Sequence, residues 1–277
     1  MLKIALTGST GLVGSRIIEL LGNSFEFIPI LQEDVDITDR KGITRAIDTM
    51  SFDILLHLAA YTNVDGAETQ AKLAHTINVE GTKNIYDAVT NKGKKLVYIS
   101  TDYVFDGTNP PYDETSVPNP IGVYGTTKYG GEEVVKENAM IVRISYPYRS
   151  EFEIKKDFIR ALKTRLEEGK PLSMVGDIAI TPTFIDDIAY GLRHLFEHFS
   201  PEVFHLVGSS SHTPYEIALL VAETFNLDKS LISKTTFNEY FPHPETRPRD
   251  TRIISKKNNF YPMHNLEEGL QIIKKQM

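Results

Sequence analysis

The chain has 277 residues, a formal net charge of -7, 41% hydrophobic and 24% charged residues, and no cysteine. That size and balance suit a globular body with room for a lobe, and they exclude disulfides, thiolate chemistry and a cysteine-ligated metal. The acidic balance argues against a nucleic-acid partner held through phosphates, and no apolar run approaches the roughly 20 residues of a membrane span. The N-terminus shows no charged region ahead of a long apolar core, so no signal peptide is expected and a cytoplasmic location is.

Residues 2–6 are a short apolar run, the pattern of a buried strand in a parallel sheet. The run meets Gly8-Ser9-Thr10-Gly11-Leu12-Val13-Gly14 and then a helical spacing of Val13, Ile17, Ile18, Leu20 and Leu21. Strand, glycine loop and helix in that order is the context of a dinucleotide loop, here spaced G-x-x-G-x-x-G. Gly8 suits the tight turn, Gly11 the close approach of a pyrophosphate, and Gly14 the packing of helix on sheet. Free N–H groups and the dipole at the helix start favour an anion there.

Residues 25–31 read as a second strand. A cofactor with a free 2′-hydroxyl often meets an acid at the end of this strand, whereas a 2′-phosphate prefers a cation. Leu31-Gln32-Glu33-Asp34 offers no clear single acid and no cation, so NADP(H) and NAD(H) both stay open. Arg16 reads as part of a solvated helix face. Thr38 or Asp39 caps a helix over residues 40–50. A third strand, residues 52–58, ends in Ala59-Ala60-Tyr61-Thr62, whose small members leave room for a flat group. Residues 65–75 and 78–91 are helical, the latter with Ile85, Ala88 and Val89 inward. A fourth strand, residues 95–100, ends in Ser100-Thr101-Asp102. Strand and helix alternating at this period predict a doubly wound parallel α/β sheet with ligands at the carboxyl strand ends.

A proline-rich loop over residues 104–123 precedes Tyr124-Gly125-Thr126-Thr127-Lys128. Tyrosine and lysine four apart share one helix face. An ammonium beside a phenol favours the phenolate and eases proton transfer near neutral pH. A fifth strand follows at residues 140–145. Beyond it a helix (158–166), a strand (172–175), a helix from Asp186 or Asp187 through 199, a strand (203–207) and a helix (214–225, capped by Thr213 with Pro214 at its first position) are predicted. Arg247, Arg249 and Arg252 cluster in an otherwise acidic chain and suit a pyrophosphate. His194 and His198 have the spacing of a metal pair but read as ordinary helix residues, and no metal is expected.

Ser100-Thr101-Asp102-Tyr103-Val104-Phe105-Asp106-Gly107, then Pro111-Tyr112, Glu114, Pro118, Pro120, Tyr124-Gly125 with Lys128, and Gly131-Glu132 form one long ungapped pattern. With Asp36-Ile37-Thr38-Asp39, Ala59-Ala60-Tyr61-Thr62, Pro182-Thr183, Asp187 and Arg247-Pro248, it resembles the extended short-chain dehydrogenase/reductases, and within them the dTDP-4-dehydrorhamnose reductases. The resemblance implies a Rossmann-like dinucleotide-binding domain over residues 1–150, to which helices from about residue 186 to 200 return, and a smaller, mainly substrate-binding lobe over 151–277. It implies Thr101, Tyr124 and Lys128 as the catalytic set. It places Gly8, Thr10, Gly11, Leu12, Val13, Gly14, Asp36, Ile37, Leu58, Ala59, Ala60, Tyr61 and Ser100 beside the cofactor, with Tyr124 and Lys128. Thr101, Asp102, Tyr103, Tyr146 and Arg247 would border a nucleotide-sugar substrate, a 4-keto-6-deoxysugar, and a homodimer is a further implication. Two departures stand out: Leu12 where the family favours glutamine, and Tyr146-Pro147 where it favours tryptophan. Asp102 is followed by Tyr103, so the second carboxylate of the related dehydratases is missing and net reduction fits better. A sugar-nucleotide epimerase is an alternative. So is the non-catalytic regulatory subunit of methionine adenosyltransferase, which the segment Arg247-Pro248-Arg249-Asp250-Thr251 also resembles.

Overall fold

Strands that are apolar on both faces must be covered on both faces, which a parallel sheet between two helix layers achieves. The computed structural model describes all 277 residues and has this form. Its elements run β1 (Lys3–Thr7), α1 (Leu12–Leu21), β2 (Glu26–Ile30), α2 (Arg40–Thr49), β3 (Ile54–His57), α3 (Val64–Thr69), α4 (Ala71–His75), α5 (Thr82–Asn91), β4 (Lys95–Thr101), α6 (Val123–Val135) and β5 (Ala139–Ile144). After these come β6 (Pro147–Tyr148), α7 (Phe158–Glu167), β7 (Leu172–Val175), β8 (Thr183–Phe184), α8 (Ile185–Glu197), β9 (Val203–His205), α9 (Pro214–Phe225), β10 (Ile232–Thr235), α10 (Phe237–Tyr240) and α11 (Leu266–Gln276). Six strands form one sheet in the order β2-β1-β3-β4-β5-β9, every neighbouring pair parallel. The chain steps from β1 out to β2 and then back to β3 on the other side. That reversal opens a crevice at the carboxyl ends of β1 and β3, where ligands of such sheets bind.

Helix stripes cover the two faces. Ile17 and Leu21 of α1 pack with Ile188, Leu192 and Phe196 of α8 over Ile4, Leu6 and Val97. Ile43 and Ile47 of α2, Ile85 and Val89 of α5, and Val135 of α6 cover Ala5, Leu55 and Tyr98 on the opposite face. A separate core joins α7, α9 and α11 to β7 and β10, through Ile159, Leu162, Val221, Leu270 and Ile232 among others. The helix expected after Asp186 therefore packs on the main sheet, and β9 extends that sheet's edge. No helix is long and apolar enough to cross a membrane.

Some boundaries differ from the sequence reading for visible reasons. The helix expected to run through residue 199 stops at Glu197, with His198 as its C-cap. The helix expected from residue 78 begins as a widened π-helical turn, Thr76–Gly81, before regular α5. Buried Asn78 lies in that turn and uses its whole carboxamide. Its oxygen accepts the Tyr61 N–H at 2.7 Å, and its nitrogen donates to the Tyr61 carbonyl and to Thr127. A local widening that aims one polar side chain is a frequent use of such turns. β10 and α11 were not foreseen.

One buried ion pair fastens α6 to the sheet. Arg143 on β5 donates Nε and Nη2 to the two carboxylate oxygens of Glu132 on α6, at 2.9 and 2.7 Å. Both side chains are almost entirely withdrawn from water, 4% and 3% exposed. The helix so held carries Tyr124 and Lys128.

Candidate active site

A cavity of about 1110 Å³ lies along the carboxyl ends of β1, β3 and β4. The glycine loop forms its floor. Gly8 has φ +72°, a left-handed backbone that favours glycine. A Cβ on Gly14 would stand 2.3 Å from the Gly8 carbonyl oxygen, so only glycine lets α1 approach the loop this closely. Gly11 caps α1 without any side-chain hydrogen bond. The first N–H groups of the helix are thus not taken by a cap and face an anion with a favourable dipole. A Cβ-free cradle with uncapped donors fits a pyrophosphate.

The ends of β1 and β3 are locked together beneath that floor. Thr7 Oγ1 accepts the N–H groups of Leu58 and Ala59 and donates to His57 Nδ1 at 2.7 Å. Burial pushes the His57 imidazole down to about 3, so the ring is neutral and its Nε2–H can donate to Thr82. This lock fixes Leu58, Ala59 and Ala60, which line the cavity. Periodicity carries no signal for it. Ser100 Oγ, at the end of β4, is buried without a partner and also lines the wall. An orphaned hydroxyl there is a ready donor or acceptor for a ligand.

Next to it Thr101 Oγ1 donates to Asp102 Oδ1 at 3.0 Å, and Ser145 Oγ donates to Asp102 Oδ2 at 2.9 Å. Burial pushes the Asp102 carboxyl up to about 6 against the pull of those donors. Charge on Asp102 therefore costs stability. The native state holds the proton more tightly than the unfolded chain, whose aspartates titrate near pH 3.9, so stability falls as pH rises through this window. Asp102→Asn is expected to melt above wild type at about pH 8 and to lose that advantage by about pH 4. Equal shifts at both pH values would show that Asp102 carries no buried charge.

Tyr124 and Lys128 stand one turn apart on α6, both in the cavity wall. The Thr101 hydroxyl pulls the Tyr124 phenol down, against the effect of burial. Lys128 Nζ donates to the Ile99 carbonyl at 2.8 Å and lies 4.2 Å from the centroid of the Tyr98 ring. The expected lowering of the phenol by the ammonium is not found. Burial raises Tyr124 well above an ordinary phenol, with the charges of Asp102 and Tyr103 adding to it. Burial also lowers Lys128 to about 7. Desolvation is the largest cause of both shifts.

The remaining expected positions divide. Gly8, Thr10, Gly11, Leu12, Val13, Gly14, Asp36, Ile37, Asp102, Tyr103, Tyr146 and Arg247 all line the cavity. Tyr61 does not: its backbone is held by Asn78, while its ring turns toward Gly66. Of the three arginines only Arg247 reaches this wall. Arg249 pairs with Asp177 at 2.6 Å, and Arg252 pairs with Asp250 at 3.0 Å. Arg247 forms an ion pair with Asp65 of α3 and lies over the Phe241 ring. Tyr146 has φ 41°, rare for a non-glycine residue, and its hydroxyl meets that of Tyr103 at 3.3 Å. His194 stacks on His198 and on Phe260, at 4.1 and 4.3 Å between centroids. Arg16 is not solvated: its guanidinium grips Asp186 of α8 through two contacts of 2.7 Å. The wall also includes Gln32, Val35 and the residues around Lys155, which the sequence reading did not single out.

Two groups of curated relatives resemble the chain about equally. Methionine adenosyltransferase 2 subunit beta of Rattus norvegicus is 31% identical over 251 residues, 84% of this chain and 75% of the relative. The dTDP-4-dehydrorhamnose reductase of Salmonella typhimurium is 30% identical over 275 residues, 92% of this chain and 90% of the relative. Among solved structures, the dTDP-4-dehydrorhamnose reductase of Bacillus anthracis in complex with NADP superposes with a TM-score of 0.92 at 30% identity, covering 100% of this chain and 99% of that one. The model of the family described as RmlD substrate binding domain matches residues 2–272, and on that match the chain belongs to this family.

Proposed function

We propose that the protein is an NAD(P)H-dependent reductase of the C4 keto group of a nucleotide-linked 4-keto-6-deoxysugar, working in the cytoplasm. The observation that carries this reading is the convergence of Thr101, Tyr124 and Lys128 on the one large cavity whose floor is the glycine loop. A nicotinamide bound along that floor supplies the hydride. Tyr124, kept protonated by burial, gives its proton to the oxygen as it becomes an alkoxide, a much stronger base than a phenolate. Thr101 turns its one hydroxyl proton from Asp102 to the same oxygen and donates to it there. Lys128, only partly charged near neutral pH, would hold the cofactor ribose. Arg247 supplies the cation for the substrate's diphosphate. A single carboxylate beside Thr101, with Tyr103 following, suits reduction without elimination of water.

The similarity to methionine adenosyltransferase 2 subunit beta keeps a second reading alive, a fold-retaining partner subunit. Purified protein given a dTDP-4-keto-6-deoxysugar and reduced nicotinamide nucleotide is expected to consume the nucleotide stoichiometrically with a reduced sugar. A partner subunit would bind the nucleotide without consuming it. An epimerase would isomerise sugar with no net consumption.

A further inference from the structure

We infer that this cleft takes NAD(H) in preference to NADP(H); the inference rests on the reductase reading and names its cofactor. The two nucleotides differ by one phosphate on the 2′-oxygen of the adenosine ribose. That group carries roughly -1.5 to -2 charge near neutral pH and is held by arginine or lysine where it is bound. A free 2′-hydroxyl instead needs one neutral or acidic partner at the end of the second strand.

Here β2 ends at Ile30, and the chain turns back at once. The N–H groups of Asp34 and Val35 both donate to the Leu31 carbonyl, at 3.1 Å. The cavity wall runs through Leu31, Gln32, Val35 and Asp36, so this turn is its rim at the adenosine end. The rim offers Gln32, whose neutral carboxamide can both donate to and accept from a ribose hydroxyl. Around it stand three exposed carboxylates, Glu33, Asp34 and Asp36.

No lysine or arginine occurs between Arg16 and Arg40. Arg16 is engaged elsewhere, and Arg40 stands outside the wall. Arg16 is held against α8 by Asp186 and also contacts Glu19 at 3.0 Å. Arg40 pairs with Asp87 of α5 at 3.5 Å and is not part of the wall. The cations that do line the cavity are Lys128, Lys155, Lys156 and Arg247. They come from α6, from the segment before α7, and from the lobe; none comes from β2, its turn or α2. The segment with Lys155 and Lys156 is tied beside α1, because Arg149 donates to Ser15 and Glu19, and to α7, because Arg160 donates to the Lys155 carbonyl. A 2′-phosphate at the rim would meet like charge and no counter-ion, while a hydroxyl would meet Gln32. The Bacillus anthracis relative was solved with NADP.

Calorimetric titration of the full chain with NADH and with NADPH, without sugar, tests this. NADH is expected to bind tighter by about tenfold or more, with the gap narrowing as added salt screens the rim. The variant Glu33→Arg with Asp34→Arg changes only exposed turn residues. It is expected to gain about tenfold in NADPH affinity and to keep NADH affinity within a few-fold. Equal or tighter NADPH binding by the wild-type chain overturns the inference and leaves the reductase reading standing. Failure to bind either nucleotide overturns both.

Discussion

Tyr124→Phe is expected to lower kcat by about 10²–10⁴-fold while nicotinamide nucleotide affinity stays within a few-fold. The substitution removes one hydroxyl and keeps the ring, which packs edge-on against Tyr103 with 5.6 Å between centroids. Thr101 keeps its bond to Asp102, so the oxygen-binding side of the site is left in place. Only the proton donor is gone, and the alkoxide must take its proton from water or a less well placed group. The loss belongs in turnover rather than in KM, because the phenol acts on charge that develops during the reaction. Steady-state kinetics beside a binding titration reads both. Turnover near the wild-type value would remove Tyr124 from its role and leave the acid to be found among Tyr103 and Tyr146.

Glu132→Ala is expected to cost about 3–5 kcal/mol of folding stability, because it strands the Arg143 guanidinium in the interior. The pair is bidentate and nearly dry, and the Arg143 guanidinium also lies 5.1 Å from the Phe105 ring, a contact that cannot replace a counter-charge. Urea unfolding should show the midpoint falling with little change in slope. Replacing both partners by apolar residues, Glu132→Leu with Arg143→Met, should recover most of the loss, since no charge is then buried. A loss below about 1 kcal/mol for Glu132→Ala would mean that water follows the arginine inward. The pair matters to chemistry through α6, whose position on the sheet sets the height of Tyr124 over β4.

The main body of the fold could be read from the residues because its signals are local. Apolar runs such as that from Ile54 to His57 and amphipathic stripes such as Ile43 and Ile47 announce a strand and a helix without reference to anything distant. Thr213 caps α9 with Pro214 at its first position, as their order predicts, and Glu216 completes a capping box. Part of the cavity wall was legible for the same reason: strand ends of an alternating sheet must gather on one rim. The rest depended on direction, which spacing does not encode. Arg249 and Arg252 found carboxylates outside the cavity, Arg16 found one on a helix 170 residues away, and Asn78 drew the Tyr61 backbone aside. The raised phenol of Tyr124 could not be read either, because a sequence gives the separation of two groups but not how buried they are.

The contact between Arg247 and Asp65 has a consequence for how a substrate gets in. One partner sits on the lobe and the other on a short helix of the sheet body, so together they act as a clasp across the mouth. If the proposed substrate binds, its diphosphate competes with Asp65 for the guanidinium. Substrate binding and this one contact between the lobe and the sheet body would then be linked.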